Sequence, residues 1–157
     1  MGERYSAKVC KNGHIITDYF DSPHSEKDIS KFCERCGASV ITECESCKAM
    51  IPGAHKGVAW LGPKSPPNFC NMCGKAYPWT DKKIERMSEF IKKSGIESDQ
   101  LEDLESDLKK LKNSQLDEDE QKRLISKMKA AGRGIWDFVK PIISDLITET
   151  VKKHAGL

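Results

Sequence analysis

Seven cysteines and one histidine in the first half of this chain fall into four pairs with metal-ligand spacing, and no cysteine is left over. Cys10 and His14 form a CxxxH pair, and Cys33/Cys36, Cys44/Cys47 and Cys70/Cys73 are each CxxC. Thiolate and imidazole are soft donors, and eight of them are the requirement of two tetrahedral zinc ions held by protein alone. The expected cofactor is therefore Zn(2+), as two structural ions, with Cys10, His14, Cys33, Cys36, Cys44, Cys47, Cys70 and Cys73 as ligands. With no coordination position left open and no nucleophile or acid/base motif elsewhere, the chain reads as a non-enzyme.

The spacing also bears on how the pairs combine. Sequential pairing gives two zinc ribbons in tandem, whereas the interleaved pairing of a RING finger joins first with third and second with fourth. Seven residues, Gly37 to Glu43, separate Cys36 from Cys44, enough to leave one site along a short strand (Val40, Ile41, Thr42) before the next begins. Sequential pairing is preferred on that ground. Gly37 and Gly74 follow the second cysteine of their knuckles, where a left-handed residue turns backbone N–H groups toward sulfur. Phe32 and Phe69 precede theirs and are expected to pack over the metal.

Composition divides the chain near residue 79. Residues 1–79 hold every cysteine and prolines 52, 63, 66, 67 and 78, while residues 80–157 hold one proline and no cysteine. The first part has short apolar runs and too few residues for a thick core, so metal must supply folding free energy that burial does not. The expected fold is a small zinc-stabilised β domain of tandem zinc ribbons, residues 1–79, followed by an all-α helical domain, residues 80–157, ending in an amphipathic helix.

In the second part Thr80 and Asp81 start a helix that Gly95 stops, with Ile84, Met87 and Ile91 as its apolar stripe. Ser98 or Asp99 starts another carrying Leu101, Leu104, Leu108 and Leu111, and Asp117 a third running through Leu124, Ile125 and Met128 toward Gly132. The final segment places Ile135, Trp136, Phe138, Val139, Ile142, Ile143, Leu146 and Ile147 over about half a helical wheel. Pro141 kinks this helix or marks a fresh start. Its apolar half has three destinations: the other helices of the chain, a partner or second copy, or a membrane surface.

The formal net charge of +2 counts every cysteine as neutral. Two zinc ions add four positive charges and seven thiolates add seven negative ones, so the metallated chain sits near about −1. A general attraction to phosphate is not expected from that balance. The opening residues are polar and no apolar run approaches the ~20 residues needed to cross a bilayer. Thiolate ligands imply a reducing compartment, so the expected location is cytoplasmic. The opening MGxxxS matches an N-myristoylation pattern, read as an accident of a short motif.

Other residues have plain readings. His24 and His55 are solvated loop histidines, because the ligand set is complete without them. Trp60, Tyr77 and Trp79 are expected to pack, with a recognition surface as the alternative. Lys56, Trp60 and Lys64 form the contact set if the chain holds nucleic acid.

From Cys10 to Thr80 the stretches CKNGH, FCERCGA, CESC and FCNMCGKAYPWT resemble a bacterial family catalogued as a zinc-ribbon domain of unknown function. The resemblance implies the ribbon fold and the metal, and it carries no activity. Function is expected to be that of a zinc-binding interaction or adaptor protein, its helical tail docking a protein partner or driving homo-oligomerisation. Two alternatives stay open: a nucleic-acid-binding zinc-ribbon protein, and a toxin or antiviral-defence-type effector with a membrane-active C-terminal helix.

Overall fold

The computed structural model describes residues 3–23, 29–57, 65–113 and 116–157. The readings placed on Gly2, His24, Trp60 and Lys64 lie outside these residues. The chain divides into two compact units: one runs to Cys73 and takes in Tyr77–Trp79, and the other holds Gly74–Ala76 and Thr80–Leu157.

The first unit is a small β region. It contains β1 (Arg4–Ser6), β2 (Lys8–Cys10), β3 (Ile15–Thr17), β4 (Val40–Ile41) and β5 (Pro52–His55). β2 lies between β3 and β4, all antiparallel, and β1 pairs antiparallel with β5. The strand predicted at Val40–Thr42 is present as Val40–Ile41, paired with Val9 and Cys10. Its core is thin: Ala7, Val9, Ile51, Tyr77 and Trp79 are buried together with Cys44 and Cys70. Tyr77 and Trp79 stack at 4.8 Å, and the Trp79 indole N–H donates to the Pro67 carbonyl at 2.9 Å. Packing is thus the use made of both aromatics.

Gly53 shows how closely the backbones approach here. A Cβ on this residue of β5 would lie 2.3 Å from the Asp18 carbonyl oxygen and 2.9 Å from that of Tyr5. Both are backbone atoms, and the Asp18 carbonyl is already held as acceptor of the Ala54 N–H at 3.0 Å. Gly53→Ala is expected to destabilise the ribbon unit by about 1–3 kcal/mol or more, as overpacking does. Thermal unfolding of the metallated variant measures it, and an unchanged midpoint would show that the 18–20 segment moves aside freely.

The second unit is built of helices: α1 (Pro78–Lys93), whose first two residues belong to the first unit, α2 (Ser98–Asn113), α3 (Glu118–Ala130), α4 (Arg133–Leu146) and α5 (Glu149–Ala155). α1 starts two residues before Thr80, because Pro78 has a φ suited to a first helical turn and no N–H to leave unpaired there. α3 has a full capping box: Asp117 accepts from the Glu120 N–H, and Glu120 accepts from the Asp117 N–H. Leu104, Leu108, Leu111, Leu124, Ile125 and Met128 are buried, as are Ile84, Met87 and Ile91.

The final segment differs from expectation at its break. α4 runs through Pro141 without interruption, and the chain turns instead at Ile147 and Thr148, where Thr148 caps α5 by accepting from the Val151 N–H. Pro141 and Asp137 are both exposed, so water can serve the carbonyl that loses its helical donor. Ile135, Val139, Ile143, Leu146 and Val151 are buried, and Phe138 stacks on Phe90 of α1 with centroids 3.8 Å apart. Of the three destinations for this apolar face, the other helices of the same unit receive it. Among the described residues no helix is long and apolar enough to cross a membrane.

Candidate metal centres

Each ligand pair is positioned by the backbone around it. Cys10 ends β2 and His14 precedes β3, so the first pair sits on a tight turn closed by Cys10 N–H to His14 O at 3.0 Å and Gly13 N–H to Cys10 O at 2.8 Å. Pairing of β2 with β4 sets Cys10 opposite Val40, beside the Cys33/Cys36 knuckle. The three CxxC turns repeat one construction. Val40 N–H donates to Lys31 O, Ile51 N–H to Thr42 O and Tyr77 N–H to Asn68 O, at 3.1, 2.9 and 3.0 Å. The residue after the second cysteine is left-handed in all three: Gly37, Lys48 and Gly74, with φ of 69°, 63° and 74°. Lys48 holds this conformation at a cost of roughly 1–2 kcal/mol that glycine avoids.

The ligand atoms converge in two groups, Cys10/His14/Cys33/Cys36 and Cys44/Cys47/Cys70/Cys73, and within each group all lie within 4.8 Å of one another. All eight sequence-predicted ligands are therefore brought together, in tandem rather than interleaved order. Cys10 and Cys36 sulfurs are 3.8 Å apart, Cys44 and Cys73 3.8 Å, and Cys47 and Cys70 3.6 Å. The Cys33 sulfur is 3.6 Å from His14 Nδ1. A tetrahedron with Zn–S of about 2.3 Å and Zn–N of about 2.0–2.1 Å has edges of about 3.8 Å between sulfurs and about 3.6 Å from sulfur to nitrogen. The residues fit the ion, and all seven cysteines are free of disulfides.

Electrostatics give the same answer. Burial pushes the Cys10 thiol up, against N–H groups of His14 and Asn12 that favour the thiolate. The Ala38 amide, aided by the Asn12 side chain, brings Cys36 down to about 6. At Cys70 burial opposes ionisation, but the amides of Met72 and Cys73 prevail and lower it to about 6. At Cys47 the Ala49 amide favours the thiolate, yet desolvation and the three neighbouring sulfurs win and push it up to about 12. Without a cation, each cluster ionises some sulfurs at the expense of others. A divalent ion at the centre removes that conflict and lets all ionise together.

Around the ligands, His14 N–H donates to Cys10 sulfur at 3.3 Å, Met72 N–H to Cys70 at 3.5 Å and Asn12 Nδ2 to Cys36 at 3.4 Å. Such bonds orient thiolates and spread their charge. Tyr77 was not singled out as a neighbour of the metal, yet burial and the adjacent Cys70 sulfur raise its phenol well above the usual range. No spacing rule points to it; only its place in the thin core does. His55 lies on β5 and in neither cluster, and Lys56 pairs with Glu3 at 3.2 Å, over the Tyr5 ring. Phe32, expected over the metal, is 65% exposed, and its backbone bridges to Ser39.

Two such centres on short antiparallel strands, followed by an all-α unit, define a tandem zinc-ribbon protein with a helical tail. The chain belongs to a family described as an uncharacterized protein conserved in bacteria (DUF2321), which it matches over residues 3–155. No curated protein and no solved structure matches it.

Proposed function

We propose that this chain is a non-enzymatic zinc-binding interaction module, in which two structural zinc ions fold a ribbon unit that docks another protein. Four protein ligands per ion leave no site for substrate or activated water, which supports a structural role for both metals. The observation that carries the reading is where large apolar side chains remain in water. Ile29, Phe32, Met50 and Met72 are 88%, 65%, 45% and 73% exposed, and all four belong to the ribbon unit. Phe32, Met50 and Met72 sit in or beside the CxxC turns. A unit too small to bury much nevertheless spends three knuckles holding apolar groups outward, and aromatic and methionine side chains are enriched where proteins meet. The sequence reading gave the docking role to the helical tail; with that tail's apolar face buried in its own unit, the ribbon unit takes its place.

Phe32→Glu is expected to weaken capture of a protein partner, or self-association, by about tenfold or more, equivalent to at least about 1.4 kcal/mol. Two zinc ions per chain should be retained, because Phe32 is exposed and is not one of the eight metal-ligating candidates. Affinity purification with quantitative mass spectrometry and light scattering on the metallated chain provide the readout. A strict monomer whose co-purifying proteins are the same for wild type and Phe32→Glu would overturn the reading.

A further inference from the structure

We infer that the groove beside β1 and β5 in the ribbon unit is a docking site for an extended acidic peptide segment of a partner protein, carrying a large apolar side chain next to its carboxylate. The inference rests on the interaction-module reading and gives it a partner chemistry.

The groove has a volume of about 760 Å³ and is walled by both strands and by the chain around the third knuckle. This is within the roughly 300–1,000 Å³ usual for a ligand site. Met50, Ile51, Pro52, Pro67 and Phe69 give it apolar walls. Against these stand Arg4 and His55, which face each other across the β1–β5 pairing. Among the described residues no carboxylate lines the groove, and neither side chain has an ion-pair or hydrogen-bond partner. The nearby Lys56 shows the contrast, since Glu3 already neutralises it.

An arginine beside an apolar wall is suited to a bidentate bond with a carboxylate, and that bond strengthens as the ligand displaces water. Ser65 and Asn71 add neutral hydrogen-bonding groups to the lining, of the kind that holds a peptide backbone. A phosphate backbone is the poorer match. It draws its affinity from several cations at once, and this groove offers one permanent cation on a metallated chain that is close to neutral.

The test selects short random peptides displayed on phage against the full-length chain purified with zinc. Binding of a labelled synthetic peptide from the winning pool is then measured by fluorescence anisotropy. Enriched sequences should place Asp or Glu within a residue or two of a large apolar side chain. Arg4→Glu and Met50→Asp should each weaken binding by about tenfold or more with two zinc ions retained. Reselection on Arg4→Glu should favour Lys or Arg in the peptide. An empty selection, a neutral or basic consensus, or unchanged binding in Arg4→Glu overturns the inference. So does tighter binding of labelled oligothymidylate than of any peptide. Binding lost in Phe32→Glu and kept in Arg4→Glu sinks the groove while leaving the interaction reading intact; failure of every ribbon variant to affect any protein contact removes both.

Discussion

Stripping the metal from this chain is expected to unfold the ribbon unit and leave the helical unit folded. The ribbon core consists of a few residues around Val9, Ile51, Tyr77 and Trp79, and two of its buried members, Cys44 and Cys70, belong to the second cysteine cluster. Structural zinc has an apparent binding free energy of roughly 10–16 kcal/mol near neutral pH, against a typical net domain stability of about 5–15 kcal/mol. Removing the ions therefore takes away more than the unit has to lose. The helical unit holds its own core along α1 to α5, from Met87 and Ile91 to Val139, Ile143 and Val151, with no ligand among them. Titration with a strong chelator should release two ions per chain, with the helical far-UV signal largely retained. Amide exchange at Ala7 and Val9 should rise steeply, and fluorescence should report exposure of Trp79, which is 3% exposed in the folded unit. Cys70→Ser should lose the second ion alone, because the Cys10/His14/Cys33/Cys36 cluster shares no ligand with it. Retained protection at Val9 after complete removal of metal, or joint collapse of both units, would contradict this account.

The metal centres were legible because their chemistry restricts which residues can serve. Cysteine and histidine at CxxxH and CxxC spacing leave few other uses, and the Gly37–Glu43 gap was long enough to separate the sites. Helices were legible where a cap and a stripe agreed, as at Asp117 with Leu124 and Met128. What escaped depended on contacts remote in sequence. The pairing of Arg4 with His55 joins segments far apart in the sequence through strands of three and four residues, too short for alternation to show. Lys48 conceals a left-handed turn that glycine advertises in the other two knuckles. Phe32 is apolar and beside Cys33, and nothing in its sequence neighbours indicates that it stays 65% exposed. The half-apolar wheel of the last segment stated that a face must be covered and not by what; Phe90 supplied the answer for Phe138.

Gln121 is the polar residue that no pattern marked, and replacing it should weaken the helical unit substantially. It is 1% exposed, within the buried face of α3. Its Nε2 donates to the Leu116 carbonyl at 2.7 Å and its Oε1 accepts from the Thr148 N–H at 3.0 Å. One side chain thus joins the segment entering α3 to the break between α4 and α5, where Thr148 in turn caps α5. Gln121→Met keeps the length and most of the volume while removing both bonds, leaving a carbonyl and an N–H with no partner. Each buried group left unsatisfied costs about 1–3 kcal/mol, so a loss of roughly 2–4 kcal/mol is expected. For a unit of this size that lowers the unfolding midpoint by roughly 10 °C or more. The damage should begin at α5: amide exchange at Val151 and Lys152 should accelerate before that of α2, and the zinc content should stay at two per chain. Gln121→Glu should be worse than Gln121→Met, since it keeps the acceptor facing Thr148 but sets a carboxylate against the Leu116 carbonyl with no cation to neutralise it. A Gln121→Met midpoint equal to that of wild type would show that water reaches both backbone groups, and that the α4–α5 break is held by apolar packing of Ile147 and Val151 alone.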